Sequence, residues 1–260
     1  MGGLVEAQVG VAEEEKQMYP HRRMVRQAFR LGLLVTLVVL ALSACAGGGG
    51  GGGGGGEEQA KAQAKTKEGA KVRTLPPFKK PLRPSEYRSK EFKPSLSFHV
   101  GKGWSNNAQE LPDFIEIERQ EVAGAIRFAN IKEVYKPGTR NVVEAPKDLI
   151  GWFQHHPYLK TDEPEPVMVG GVEGEQIDVL VEDLPQDVYG MCGVECVDIA
   201  PLSGGEQSVF FKEANKRRVI VLEDVKGETV YIDFSAPVVL FDKFAPEAQK
   251  VVDSVKWGGS

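Results

Sequence analysis

The sequence predicts an α+β domain, a mostly antiparallel sheet covered by helices, behind an N-terminal leader and a disordered tether. Three observations lead there. After residue 95, short runs alternate apolar and polar side chains with a period of two, as strands with one covered face do. Two stretches break that period, and the final one repeats apolar residues at close to 3.6-residue spacing. The order is strands, a helix, further strands and a last helix, which gathers helices on an antiparallel sheet rather than alternating them with parallel strands.

Leu96, Phe98 and Val100 alternate with Ser97 and His99 and predict the first strand, ended by a turn at Gly101, Gly103 and Trp104. Residues 113–119 place Ile115 and Ile117 on one face and Glu116 and Glu118 on the other; residues 125–131 form a third strand. Pro146, Lys147 and Asp148 open a helix containing Leu149, Ile150, Trp152 and Phe153, and Pro157 ends it. The acidic run Asp162, Glu163, Glu165 reads as a solvated loop, because its prolines break any EF-hand geometry. Val167, Met168 and Val169 lead to Gly170-Gly171, a hairpin signal, and residues 175–182 return as a strand. Residues 183–194 read as a loop, and 196–202 and 208–212 as strands. Residues 218–224 and 229–234 form the clearest hairpin. Residues 237–254 are the closing helix, with Leu240, Phe241, Phe244, Ala248, Val251, Val252 and Val255 along one stripe.

The N-terminal portion has a different character. Arg22, Arg23, Arg26 and Arg30 precede the apolar run 31–42, and Leu42-Ser43-Ala44-Cys45 closes it. This is a secretory-signal layout, with an apolar run inside the usual ~7–15 residues and short of the ~20 that span a bilayer. Leu42-Ser43-Ala44-Cys45 resembles the bacterial lipobox, which implies acylation of Cys45 and cleavage before it. An uncleaved signal anchor or a plain secreted protein are the alternatives. Glu13, Glu14 and Glu15 oppose the charge of a signal, so residues 1–23 read as an upstream extension and 24–44 as the signal, with Met24 or Met18 as the start. Residues 45–94 read as tether: ten glycines at 47–56, an Ala/Lys/Glu/Gln-rich stretch, then four prolines within 75–84 that favour an extended, stiffer chain. The domain is expected to begin at 95.

Charge divides the same way. Residues 57–94 carry 11 basic and 5 acidic residues, and residues 95–260 carry 16 and 28. An acidic domain is a poor ligand for nucleic acid, whose affinity rests largely on phosphate neutralisation. The basic tether is instead attracted to anionic lipid.

Candidate chemistry is sparse. Cys192 and Cys196 are the other two cysteines, and outside the cytoplasm such a pair is expected to be a disulfide. Redox work would favour Cys-x-x-Cys at a helix start, and zinc would need two further ligands. His155-His156 sits in a helix's last turn, where capping explains it. There is no Gly-x-Ser-x-Gly, no His-Glu-x-x-His and no phosphate-binding glycine loop. No catalytic residue, metal or cofactor is expected. Trp104, Trp152, Phe153 and Tyr189 are the candidates for an apolar pocket between helix and sheet, with core filling as the alternative.

The strand opening that leads to Gly103-Trp104, the helix start at Ala145-Pro146 with Trp152, the two hairpins and the Ser254-Val255-Lys256-Trp257 close together resemble PsbP-like (LpqN-type) lipoprotein domains of actinobacteria over about residues 95–257. The resemblance implies an α/β/α sandwich and a non-catalytic accessory protein on the outer face of the cell membrane. Its partner would be an envelope protein, glycolipid or wall polymer. A carrier of an apolar ligand and an envelope hydrolase without a recognisable motif are the other readings.

Overall fold

Alternating apolar and polar side chains make strands of most of the chain that the computed structural model describes, residues 72–184, 195–203 and 207–258. In chain order these are β1 (Arg73–Thr74), β2 (Lys80–Pro81), β3 (Ser85–Arg88), β4 (Leu96–Val100), β5 (Ser105–Asn106), β6 (Phe114–Arg119), β7 (Gly124–Asn130), β8 (Glu133–Tyr135) and β9 (Val142–Glu144). Helix α1 (Leu149–Gln154) follows, then β10 (Leu159–Thr161), β11 (Glu165–Val169), β12 (Val172–Val181), β13 (Cys196–Pro201), β14 (Ser208–Lys212), β15 (Asn215–Val225) and β16 (Glu228–Pro237). Helix α2 (Val238–Asp253) and β17 (Lys256–Trp257) close the chain.

The main sheet is antiparallel throughout, in the order β10-β12-β15-β16-β7-β6-β5-β2, with β11 also paired to β12. Two tight hairpins set much of its register. Gly170 and Gly171 (φ 60° and 83°) join β11 to β12, and Lys226 and Gly227 (φ 58° and 88°) join β15 to β16. Positive φ at both central residues is the turn whose twist matches that of paired strands.

Both faces of this sheet are buried. On the first, Ile115, Ile117, Ile126, Phe128, Ile220, Leu222, Ile232 and Phe234 meet Phe241, Phe244, Ala248, Val251 and Val252 of α2 and Leu96, Phe98 and Val100 of β4. A small sheet, β1-β3-β4-β17, completes that side. On the second face, Ile177, Val179, Val219, Val221 and Tyr231 meet Leu149, Ile150 and Phe153 of α1 and the β13–β14 ribbon, through Val197, Ile199, Val209 and Phe211. The expected α+β class agrees with this arrangement. The expected helical cover differs: α2 covers one face, whereas a β-ribbon shares the other with a helix of six residues.

Three local expectations also change. Helix α1 begins at Leu149 rather than Pro146, because the Asp148 carboxylate caps it by accepting from Gly151 N at 2.7 Å. Glu165 lies in β11, and only Asp162 and Glu163 of the acidic run remain in the connection. The tether ends earlier than expected. Leu75, Leu82, Tyr87 and Phe92 are buried in the first core, and Glu110 Oε1 accepts from the backbone of Lys90, Glu91 and Phe92 at 2.7, 2.9 and 3.4 Å. The folded part therefore begins by residue 72, not 95. Its apolar anchors are separated by prolines and lysines and carry no periodic signature.

Candidate ligand cleft and the charged row beneath it

Three neighbouring strands each turn a charged side chain toward the second face of the sheet. The register sets Glu116 of β6 opposite Arg127 of β7, and Arg127 opposite Asp233 of β16. The three lie side by side with alternating sign. Arg217 joins diagonally, its own cross-strand partner being Ser235. Glu116, Arg127 and Asp233 each lie between two apolar residues buried on the other face, so each is carried into the sheet by its neighbours' burial.

The hydrogen bonds follow from that register. Glu116 Oε2 accepts from Arg127 Nε, and Glu116 Oε1 from Asn107 Nδ2 at 2.5 Å. Arg127 Nη1 donates to Asp233 Oδ1 at 3.2 Å and to Ser235 Oγ at 3.4 Å. Arg217 Nη1 donates to the same Asp233 oxygen, and its Nη2 to the Phe210 carbonyl at 3.2 Å. The Arg217 guanidinium also stacks 4.0 Å from the Phe211 ring centroid. The row thus ties the main sheet to the ribbon above it.

Two carboxylates and two guanidiniums leave the row formally neutral, as burial requires, since an unpaired charge there would be strongly destabilising. Burial disfavours the Arg127 cation, but the Glu116 and Asp233 charges outweigh it and hold the guanidinium firmly protonated. Asp233 is 0 % exposed, and its Oδ2 has no hydrogen-bond partner. Beside it the Tyr231 hydroxyl is pushed well above the usual phenol range, first by burial and then by the Asp233 charge. On the opposite face a second cross-strand pair, Asp178 and Arg218, is bidentate at 2.7 and 3.2 Å, with Lys216 adding 2.9 Å. Burial raises the Asp178 pKa, and these partners more than reverse it, leaving it below the usual range.

Above the first row opens a cleft of about 550 Å³. Glu116, Arg127 and Phe114 form its floor. Asn107, Ala108 and Gln109 form one wall, and Gln207, Ser208, Phe210 and Lys212 the other. Phe78, 49 % exposed, stands at the edge. Such a size, with aromatic faces and a few fixed polar groups, is that of a small-molecule site. A second cleft, of about 270 Å³, is lined by Asp148, Glu173, Glu175 and Glu223. Among the described residues no group of three or more His, Cys, Asp or Glu is placed to hold a metal ion.

The residues singled out in the sequence fall elsewhere. Trp104 packs on α2, 5.9 Å from the Phe244 ring, in the first core. Phe153 lies across the sheet in the second core, stacked on Phe211 at 5.7 Å and Tyr231 at 6.1 Å. Trp152 is edge-on to Phe153. The structure does not bring Trp104 and the α1 pair to one pocket. Tyr189, Cys192 and the Leu42, Ser43, Ala44, Cys45 stretch lie outside the described residues, and Cys196 is fully buried at the start of β13. Of the two histidines, His155 caps α1, its Nδ1 2.7 Å from the Gly151 carbonyl. His156 is instead buried, against Trp152 and Tyr158. Sequence reasoning missed Glu116, Arg127, Asp233 and Arg217. The signal of the first three was a charge between two apolar residues, Arg217 lay hidden between Lys216 and Arg218, and nothing but the register shows that these align.

No protein family matches this sequence, and no curated protein matches it. Solved structures with a similar fold include the cyanobacterial PsbP (CyanoP) of Synechocystis, 11% identical with a TM-score of 0.35, over 68% of this chain and 95% of that one. The Saccharomyces cerevisiae Ran-binding protein Mog1p is 9% identical with a TM-score of 0.33, over 67% of this chain and 96% of its own. These are similarities of fold, and they bear on neither ligand nor chemistry.

Proposed function

We propose that the chain is a lipid-anchored, extracytoplasmic binding protein of the bacterial envelope, of the PsbP-like lipoprotein kind. The observation that carries this reading is the basic-then-apolar run ending at Leu42-Ser43-Ala44-Cys45. Acyl chains on Cys45 hold the protein to the outer face of the membrane, because two or more chains anchor stably where one does not. The glycines that follow allow the folded part to range away from the lipid.

Binding rather than turnover is supported by the state of the cleft's carboxylates. Glu116 is engaged on both oxygens, by Arg127 and Asn107, and Asp233 lies sealed below between two arginines. Neither is left to exchange a proton with a ligand in the cleft, which general acid–base catalysis would require. The rigid sheet holds the lining groups in place, which lowers the ordering cost of binding.

The test is Cys45→Ala in a bacterial host. The variant should leave the membrane fraction or accumulate as an unprocessed precursor. Membrane retention with a lipid-free, normally processed N-terminus would overturn the proposal.

A further inference from the structure

The cleft's chemistry narrows its ligand class. We infer that the 550 Å³ cleft between the β5–β6 connection and β14 is a binding site for a neutral glycan. This rests on the proposed envelope location, where wall and glycolipid sugars are the polyhydroxyl ligands at hand.

The argument proceeds by what the lining can satisfy. Seven of the eleven lining residues are polar, Asn107, Gln109, Glu116, Arg127, Gln207, Ser208 and Lys212 among them. An acyl chain would desolvate Gln109, Gln207 and Lys212 without pairing them, at a cost that its own burial does not offset. A strongly anionic ligand finds little free positive charge. Arg127 is already shared between Glu116 and Asp233, and the two cations at the edge, Lys212 and Lys79, sit over the rings of Phe210 and Phe78 at 5.7 and 5.0 Å from their centroids rather than in the cleft floor. A cation fares no better, because Arg127 neutralises Glu116.

What is left is a neutral ligand rich in both donors and acceptors. The side-chain amides of Asn107, Gln109 and Gln207 offer both. Arg127 Nη2 has no hydrogen-bond partner among the described residues and remains a donor. Phe78 and Phe210 supply apolar faces at the cleft. A sugar ring presents the complement, an apolar C–H face and an edge of hydroxyls. A planar heterocycle shares the stacking but presents fewer hydroxyl-type donors to the three amides.

The experiment is isothermal titration of the full chain in detergent with a panel of neutral trisaccharides built from glucose, mannose and N-acetylglucosamine. Amide hydrogen exchange on the same samples locates the contact. The expected result is binding by at least one trisaccharide, insensitive to added salt, with protection confined to segments 78–80, 106–116 and 207–212. Phe78→Ala and Gln109→Ala, both at exposed positions that leave the core intact, should each weaken it about tenfold. No heat and no protection across the panel up to ~10 mM would overturn the inference. So would undiminished binding by both variants, binding that collapses with salt, or preference for a free nucleobase. Because the titration does not depend on acylation, its failure leaves the Cys45→Ala result standing, and the reverse holds too.

Discussion

Asp233 shows how one side chain can commit a strand to a single register. It is fully buried, and both Arg127 and Arg217 donate to it. Asp233→Ala would leave Arg217 without a carboxylate and Arg127 with Glu116 alone, and breaking a buried pair in this way costs about 3–5 kcal/mol. Chemical denaturation should show a loss of that order; a loss under about 1 kcal/mol would mean water already compensates the arginines. His156 makes the opposite point, a titratable group kept neutral. Its ring is 3 % exposed with Nε2 unpartnered, and burial lowers its pKa to about 4. The unfolded chain therefore binds its proton first. Stability is complete above pH ~6.5 and falls as the pH drops toward 4, by up to about 3 kcal/mol. Most of this window lies above the range where Asp178, Glu86 and Glu247 titrate, all three being shifted downward in the folded chain. Thermal melts of His156→Phe between pH 7 and pH 4.5 should be flatter than those of the parent chain, and superimposable profiles would remove His156 as the cause.

Among the elements, α2 and β7 meet without room to spare. A Cβ on Gly124, the first residue of β7, would sit 2.6 Å from the Phe244 ring. Phe244 is itself packed against Trp104 and Phe234, so it cannot swing aside freely. Gly124→Val should push the helix off the sheet and cost about 1–3 kcal/mol, the usual toll of overpacking. Unchanged stability by urea titration would show that the helix relaxes instead. The periodicity of α2 was legible because its apolar stripe repeats over 16 residues. That of α1 was partly hidden, since six residues make too little helix for a pattern and the capping Asp148 alone marks its start. The β8–β9 ribbon escaped notice for the same reason, three residues a strand being too few to alternate recognisably.

At the level of the whole molecule, the N-terminal segment decides where the folded part begins. Leu82, Tyr87 and Phe92 are 4, 4 and 0 % exposed, and β3 pairs with β4 along four residues. A chain starting at 72 should melt like one starting at 45. A chain starting at 95 should lose cooperativity, because it uncovers one edge of β4 and the core beneath. Equal melting of all three by calorimetry would return residues 72–94 to the tether. The same segment brings Phe78 to the cleft, so a site whose lining comes from four separated stretches of chain could not be assembled by reading along it.

Taken alone, the sequence determined the change from basic to acidic composition, the α+β class and the two hairpins. Each depends on residues close together in the chain: a local run of charge, a period of two or 3.6, a pair of turn residues. Strand order, the depth of the N-terminal segment and the alignment of Glu116, Arg127 and Asp233 were decided only by tertiary structure. Those depend on which strands lie side by side, and the burial that selects that pairing is a property of the whole core rather than of any stretch within it.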